Sequence, residues 1–419
     1  MIGEAPPLEL IDWAEVAVGS KVVSVDREFA GGSRPLWYLA FESGEECVLR
    51  LDDGSGALSG SPYSIQREVD VYRGLVDSAV PVPIVHAARS FDDGFVILMN
   101  RVPGDSRFPR NDPASATKMV NSLIGAVAKL HSLDVSGLKL PWGEFGSIRD
   151  GVEQEIRTWQ GLSEACPDPV CDYAFQWLIS NLDGLPGIES PPSLVQGDTG
   201  PGNAVFCDGA LTALVDWELA HIGDPMQDMA WVITRCRQYG GDVADAIFLR
   251  ANYDRVAREA SDSKRIAFQF VFVNLKCAVI TARTVDQGGG ALGLNPYQLA
   301  RHRFRREILD SIANAEVREI ESASSVAERI ASQVGLTDDV LNQFRAALPA
   351  LKASSSAEKL AARDTNIGLL HQMVSQRFKD RLLKFTQVDP TSAEFEMLLN
   401  VVACDSLLWP EVSTSKTLR

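Results

Sequence analysis

The sequence predicts an α+β protein built as two lobes, a small strand-rich lobe followed by a larger helical one, with an additional helical segment at its C-terminal end. Three observations carry this. Short apolar runs separated by turn signals occupy residues 20 to 100. From Pro113 onwards apolar residues recur three and four apart, which is the helical period. A single hairpin rich in acids and amides, Asp198 to Asp216, interrupts those helices. The expected division is 1–103, 104–315 and 316–419.

In the small lobe, Lys21 to Val25, Pro35 to Phe41, Glu46 to Leu51 and Phe95 to Met99 read as strands. Ser43-Gly44 marks a hairpin. Gln66 to Leu75 is an amphipathic helix, since Val69, Tyr72 and Val76 stand three and four apart. In the large lobe, Val120, Leu123, Ile124, Val127 and Leu130 mark one helix, and Asp150–Trp159 and Asp172–Leu182 mark two more. Helices resume at Met226. Ile266 to Ile280, interrupted by Gln269, Asn274 and Lys276, reads as a buried helix too short to span a bilayer. After Asp310 the composition shifts to Ala, Ser, Glu and Leu, and Pro410 to Arg419 reads as a loose tail.

The formal charge of −16 disfavours nucleic acid or an anionic membrane as partner, because both need a basic surface. It leaves open whether the acids serve solubility or line a pocket for a cation. Seven scattered cysteines without metal-ligand spacing are expected to be reduced thiols of a cytoplasmic protein. Met1 to Leu10 has no basic region or apolar run, so no signal peptide is expected.

The chemistry concentrates in Gln196-Gly197-Asp198-Thr199-Gly200-Pro201-Gly202-Asn203 and Asp216-Trp217-Glu218. An acid, an amide five positions later and a second acid thirteen beyond that suit phosphoryl transfer. One carboxylate must sit at the acceptor hydroxyl, while an amide oxygen and another carboxylate hold Mg²⁺ against nucleotide phosphates. Asp198 is thus the candidate catalytic base or hydroxyl-orienting residue, and Asn203 and Asp216 are the candidate metal ligands. Ala204 to Phe206 and Leu211 to Val215 are apolar, and Asp208-Gly209 between them is a hairpin turn that would bring Asn203 beside Asp216. Gly31-Gly32-Ser33 is either a phosphate-covering turn, whose glycines let backbone N–H groups approach oxygens, or a plain hairpin turn.

These residues resemble the Asp-x-x-x-x-Asn and Asp-Trp-Glu motifs of the aminoglycoside phosphotransferase family, which has the bilobal protein-kinase-like fold. Gly223-Asp224-Pro225 and Asp228-Met229-Ala230-Trp231 continue the likeness. It covers roughly residues 20 to 310 and is closest in style to the branch linked to acyl-CoA dehydrogenases. The resemblance implies ATP and Mg²⁺ as cofactors and a small-molecule hydroxyl as acceptor. It puts Arg50 where a basic residue holds the nucleotide phosphates, and Glu68 where a helix carboxylate orients that residue. Met99, Asn100, Arg101 and Val102 would be the hinge whose backbone bonds adenine. Glu218 would reach a second metal or a metal-bound water, or only face the pocket. Asp224 would hold the catalytic loop by accepting its N–H groups, or simply cap a helix. No partner in the sequence suggests that His221 is a nucleophile or a metal ligand, and it is expected to be structural.

Three departures bear on function. Gln196 replaces the His usual before Gly-Asp, which touches loop packing more than chemistry. Gly197 replaces the Arg that reads an activation-loop phosphate in protein kinases, which argues against that regulation. Only seven residues separate Asp216 from Asp224, too few for a peptide-binding segment, so the acceptor is expected to be small. Arg50 and Gln196 favour a hydroxylated metabolite or hydroxyacyl compound over an antibiotic. The rival class is a non-catalytic nucleotide-binding regulatory module, against which the joint presence of Asp198, Asn203 and Asp216 argues. A protein kinase is third. Trp159, Trp177 and Tyr239 are expected in the core more than in a pocket. The C-terminal helices are candidates for completing the acceptor pocket, pairing two subunits as a homodimer or covering the lobe.

Overall fold

The computed structural model describes residues 5–28, 34–109, 111–237, 243, 245–287 and 296–316, except 55, 93, 139 and 144. The chain divides into two compact units, Met1–Thr158 with Asn181–Gln269, and Trp159–Ser180 with Phe270–Arg419.

The first unit opens with α1 (Leu8–Val18), ended by Gly19 in the left-handed conformation. Strands β1 (Val22–Glu28), β2 (Leu36–Phe41) and β3 (Glu46–Asp52) follow, then α2 (Ile65–Leu75), β4 (Val85–Phe91) and β5 (Gly94–Asn100). They form one antiparallel sheet in the order β1-β2-β3-β5-β4. Period-two alternation sends Trp37, Leu39, Phe41, Cys47, Leu49 and Leu51 into one core with Leu10 and Ala14 of α1. Arg50 therefore points to the opposite face of β3. β5, the strand between β3 and β4, buries Val96, Ile97, Leu98 and Met99 on both faces. Neither α1 nor β4 is evident in the sequence. β4 reads Val-His-Ala-Ala-Arg-Ser-Phe at a sheet edge, where partial exposure of both faces removes the alternation.

Helix α3 (Pro113–His131) starts with Asp112 accepting from the N–H groups of Ala114 and Ser115. It is followed by α4 (Ile148–Ser163) and α5 (Pro169–Leu182). Two short ladders then carry the loops of interest: β6 (Ser193–Val195) pairs with β9 (His221–Gly223), and β7 (Ala204–Cys207) with β8 (Ala210–Leu214). Asp208 and Gly209, at φ 51° and 75°, make the two-residue turn of that hairpin. α6 (Met226–Cys236) and α7 (Ala246–Asp254) follow.

Helices α8 (Ser263–Gln287) and α9 (Pro296–Ala315) end the described chain. Ser263–Thr284 proves long and apolar enough to cross a membrane, contrary to the shorter segment expected, but 83% of its apolar window is buried within the protein. In the second unit Arg305 pairs with Asp168 at 2.6 Å, and Trp177 donates to Glu316 at 2.6 Å. Trp159 and Trp177 are both buried, as core residues. Tyr239 and nearly all of the segment 316–419, with its expected helices and subunit pairing, lie outside the described residues.

Candidate active site

Two loops meet in the first unit. The one leaving β6 runs from Gln196 to Asn203, and its shape is held by a buried acid of α6. Asp228 accepts the N–H groups of Gln196 at 2.9 Å and Gly197 at 3.0 Å, and lies 2.6 Å from Thr199 Oγ1. His131 Nε2 stands 3.0 Å from Oδ2, the oxygen that also accepts the Gln196 N–H. Burial would raise the Asp228 carboxyl, but the His131, Thr199 and Gly197 bonds hold it below the usual carboxylate range. Gly197 is at φ 88°, and a Cβ there would lie 2.3 Å from the Leu219 carbonyl oxygen, so no other residue fits.

The loop-holding role expected of Asp224 therefore belongs to Asp228. Asp224 instead accepts from the Met226 N–H at 2.9 Å, at the start of α6, and binds Arg265 and Gln269 of α8. The reason is helical register. Asp224 precedes the helix and faces α8, whereas Asp228 lies in its first turns, facing the loop.

Gln196 ties the two loops together. Its Nε2 donates to the carbonyls of Val215 at 3.0 Å and Asp216 at 2.8 Å, and its Oε1 accepts the Asp198 N–H at 2.9 Å. An amide offers a donor and an acceptor at one end, which is what this junction needs. The Val215 N–H also bonds the Asn203 carbonyl at 3.1 Å, so the hairpin sets Asn203 beside the Asp216 segment. Asp216 sits at φ 63°, a conformation costly for a residue with a Cβ and retained here by these bonds.

Asp198 accepts from Asn203 Nδ2 at 2.9 Å and from Arg235 Nε at 3.1 Å. Burial pushes its carboxyl up against the pull of Arg235. Gly200 makes room for this arginine, since a Cβ at Gly200 would fall 2.7 Å from Arg235 Cγ. Asn203 turns its amide nitrogen to the carbonyl and carboxylate of Asp198, which leaves Oδ1, an oxygen acceptor, on the other side of the amide.

Arg50 bridges α2 and the second loop. Its Nη1 donates to both oxygens of Glu68, at 2.9 and 2.8 Å, and its Nη2 donates to Asp216 Oδ1 at 2.7 Å. Burial works against the charged form of Asp216, yet Arg50, with Arg34 and Arg235, holds its carboxyl low. Glu68 is fully buried, and that burial pushes its carboxyl up despite Arg50. Glu218 faces the same place and is engaged by Arg34, which also pairs with Asp52 at 3.0 Å. Glu68, Asp216 and Glu218 each present a carboxylate oxygen within 4.8 Å of the others. An all-oxygen set of this kind suits a hard divalent cation such as Mg²⁺, although Arg50 and Arg34 occupy these oxygens here.

The hinge expectation narrows. The N–H of Asn100 bonds Ile84 O at 3.0 Å and that of Arg101 bonds Glu46 O at 2.9 Å. Neither is available to a base. Met99 lies within β5, which leaves Val102 and the carbonyls of the segment. Gly31, Gly32 and Ser33 lie outside the described residues. His221 is buried, its Nδ1 2.9 Å from the Leu219 carbonyl. It lines a cavity of about 640 Å³ with Tyr63, Arg67, Trp142 and Glu155, whose lining includes none of Asp198, Asn203 or Asp216.

Arg34, Arg235, His131 and the role of Asp228 were missed from sequence. For Asp228 a signal existed: it is the lone acid in Met226–Ile233, an otherwise largely apolar run, and a buried carboxylate must be satisfied. The arginines carry no such mark.

The model of the phosphotransferase enzyme family (APH) matches residues 27–260. Acyl-CoA dehydrogenase family member 10 of Mus musculus is 28% identical over 215 residues, which are 48% of this chain and 19% of that protein. Family member 11 of Rattus norvegicus is 28% identical over 221 residues, 50% of this chain and 28% of that protein. The match thus spans little more than a quarter of these relatives at most. Among solved structures, a candidate aminoglycoside phosphotransferase from Ralstonia eutropha superposes with a TM-score of 0.57 at 21% identity, over 75% of this chain and 99% of that one. Aminoglycoside phosphotransferase APH(4)-Ia, in a ternary complex with ADP and hygromycin B, gives 0.53 at 16% identity, over 73% and 98%. Amicoumacin kinase with AMP-PNP and Ca²⁺ gives 0.54 at 14% identity, over 73% and 94%. At these identities the likeness is one of fold, the kinase-like α+β architecture.

Proposed function

Because this chain belongs to the phosphotransferase enzyme family, we propose that it transfers the γ-phosphoryl group of ATP to a hydroxyl group of a small molecule, with Mg²⁺ as cofactor. The observation that carries this reading is the junction of the two loops, where Gln196 and the β7–β8 hairpin bring Asp198, Asn203 and Asp216 together with Arg50 beside them.

Asn203 Oδ1 and the Asp216 carboxylate would hold the cation, with Glu218 beside them. Mg²⁺, when bound, neutralises charge on the phosphate oxygens. Arg50, held by Glu68 through Nη1 and resting on Asp216 through Nη2, would offer a remaining N–H of Nη2 to the phosphates. Asp198 would accept the hydrogen bond of the acceptor O–H, align its oxygen with the γ-phosphorus and take its proton as the new O–P bond forms and the bond from the γ-phosphorus to the bridging oxygen breaks, releasing ADP. The likeness to dehydrogenase-linked relatives supports a hydroxylated metabolite or hydroxyacyl compound as acceptor.

The test is an ADP-release screen of the full chain with ATP and Mg²⁺ against hydroxylated metabolites, hydroxyacyl compounds and aminoglycosides. Asp198→Ala should lower turnover by on the order of 10²–10⁴-fold while ATP affinity changes only a few-fold. Acceptor-dependent turnover that persists in Asp198→Ala would falsify the role. Mg²⁺-dependent ATP binding with no turnover on any acceptor would point instead to a regulatory nucleotide-binding module.

A further inference from the structure

Away from the two loops, at the far end of the small sheet, three side chains of different chemistry converge. Glu45 lies in the turn before β3, Cys47 is the second residue of β3, and His86 is on β4. Each offers one ligand atom, and all three atoms lie within 4.8 Å of one another. His86 Nε2 is 3.2 Å from Glu45 Oε1.

Two features of the backbone bring them together. Cys47 pairs with Asn100 and Val85 with Met99, so the same end of β5 is flanked by Cys47 on one side and by Val85 and His86 on the other. The register of β4 then shifts between Val85 and Ala87, which leaves His86 as an extra residue in a β-bulge. A bulge of this kind re-aims a side chain that regular alternation would send elsewhere. Cys47 itself is fully buried in the core under α1.

We propose that Glu45, Cys47 and His86 form a metal site for a zinc-class divalent cation, separate from the oxygen-lined site at Asp216. The donor set decides the class: a thiolate and an imidazole select zinc, cobalt or copper over magnesium. Ligand atoms around a tetrahedral Zn²⁺ stand about 3.3–3.7 Å apart. The histidine–carboxylate pair, at 3.2 Å, lies just short of that spacing, and Glu45 and His86 are the partly exposed members able to adjust around a fixed Cys47. Binding converts Cys47 Sγ–H to a metal thiolate and releases one proton to solvent. Three protein ligands leave a fourth position for water. Occupation would tie β3, β4 and the β2–β3 turn together next to Met99–Val102, where Arg101 bonds Glu46.

The test is a titration of the reduced, chelator-stripped full chain with Co²⁺, followed by absorbance. The expected result is one equivalent bound, with a thiolate-to-cobalt charge-transfer band that Zn²⁺ displaces. Cys47→Ser should abolish that band. His86→Ala and Glu45→Gln should weaken binding by about tenfold or more. Because Cys47 is a core residue, the two partly exposed variants carry the test even where Cys47→Ser fails to fold. Absence of the band, or a band that keeps its intensity and affinity in His86→Ala and Glu45→Gln, overturns the site.

Discussion

Arg50 does more than a strand-end cation would. Its two terminal nitrogens divide their bonds between a helix carboxylate and Asp216, an arrangement that needs a planar fork. Arg50→Lys supplies a point charge to one partner at a time, so we expect a raised KM for ATP with little loss of stability. Arg50→Ala should raise it further. It should also lower the melting temperature, because Glu68 is fully buried and would lose its cation. Steady-state kinetics beside a thermal scan separate the two effects, and an unchanged ATP KM in Arg50→Ala removes the clamp. Gly197 offers a second test at this scale. At φ 88° and 2.3 Å from Leu219 O, any Cβ forces the loops apart. Gly197→Ala should cost about 2 kcal/mol or more and lower kcat more than it changes ATP affinity. Parent-like kcat and stability would show that the loops tolerate separation.

Among elements, the Gln196–Asn203 loop owes its shape to α6. Asp228 takes two backbone N–H bonds from that loop while His131 of α3 bonds its Oδ2, so one carboxylate joins three elements. Asp228→Asn should destabilise the protein by about 3 kcal/mol near neutral pH. The pH dependence has a definite sign. The folded carboxyl lies below its usual range, so its stabilisation is fully present above the unfolded value of about 3.9 and is lost as pH falls through the lower folded value. The gap in unfolding midpoint between parent and variant should therefore close below about pH 4. A gap unchanged down to about pH 3 would mean that the charge of Asp228 is not what holds the loop.

For the whole molecule, nucleotide binding should appear as stability. Any ligand bound only by the folded state adds about 2.7 kcal/mol at a hundredfold excess over its Kd. ATP with Mg²⁺ should therefore raise the melting temperature of the unit that holds the site by about 5 °C. EDTA should remove most of that rise, and Asp216→Asn should show little of it. A rise of equal size with and without Mg²⁺ would separate Asp216 from the metal. Two compact units make more than one transition possible, so the shift is read on the transition that responds to ATP.

The sequence by itself determined the parts whose information is local. Strand alternation, helical spacing and the Asp208-Gly209 turn depend on neighbours a few residues away, and they sufficed for the two-lobe α+β architecture and for placing Asn203 beside Asp216. The acid–amide–acid spacing, equally local, singled out the candidate site. What the tertiary structure decided are contacts between residues far apart in the chain: Arg34 with Glu218, Arg235 with Asp198, Asp228 rather than Asp224 beneath the loop. Glu218, read only as facing the pocket or a metal, turns out to be held by an arginine 184 residues away. The bulge that turns His86 toward Cys47 is of the same kind, since a one-residue slip against β5 leaves no pattern in β4 itself. An ionised side chain looks alike in sequence whether its partner is solvent or a buried charge. Only folding, which removes the solvent, makes that choice matter.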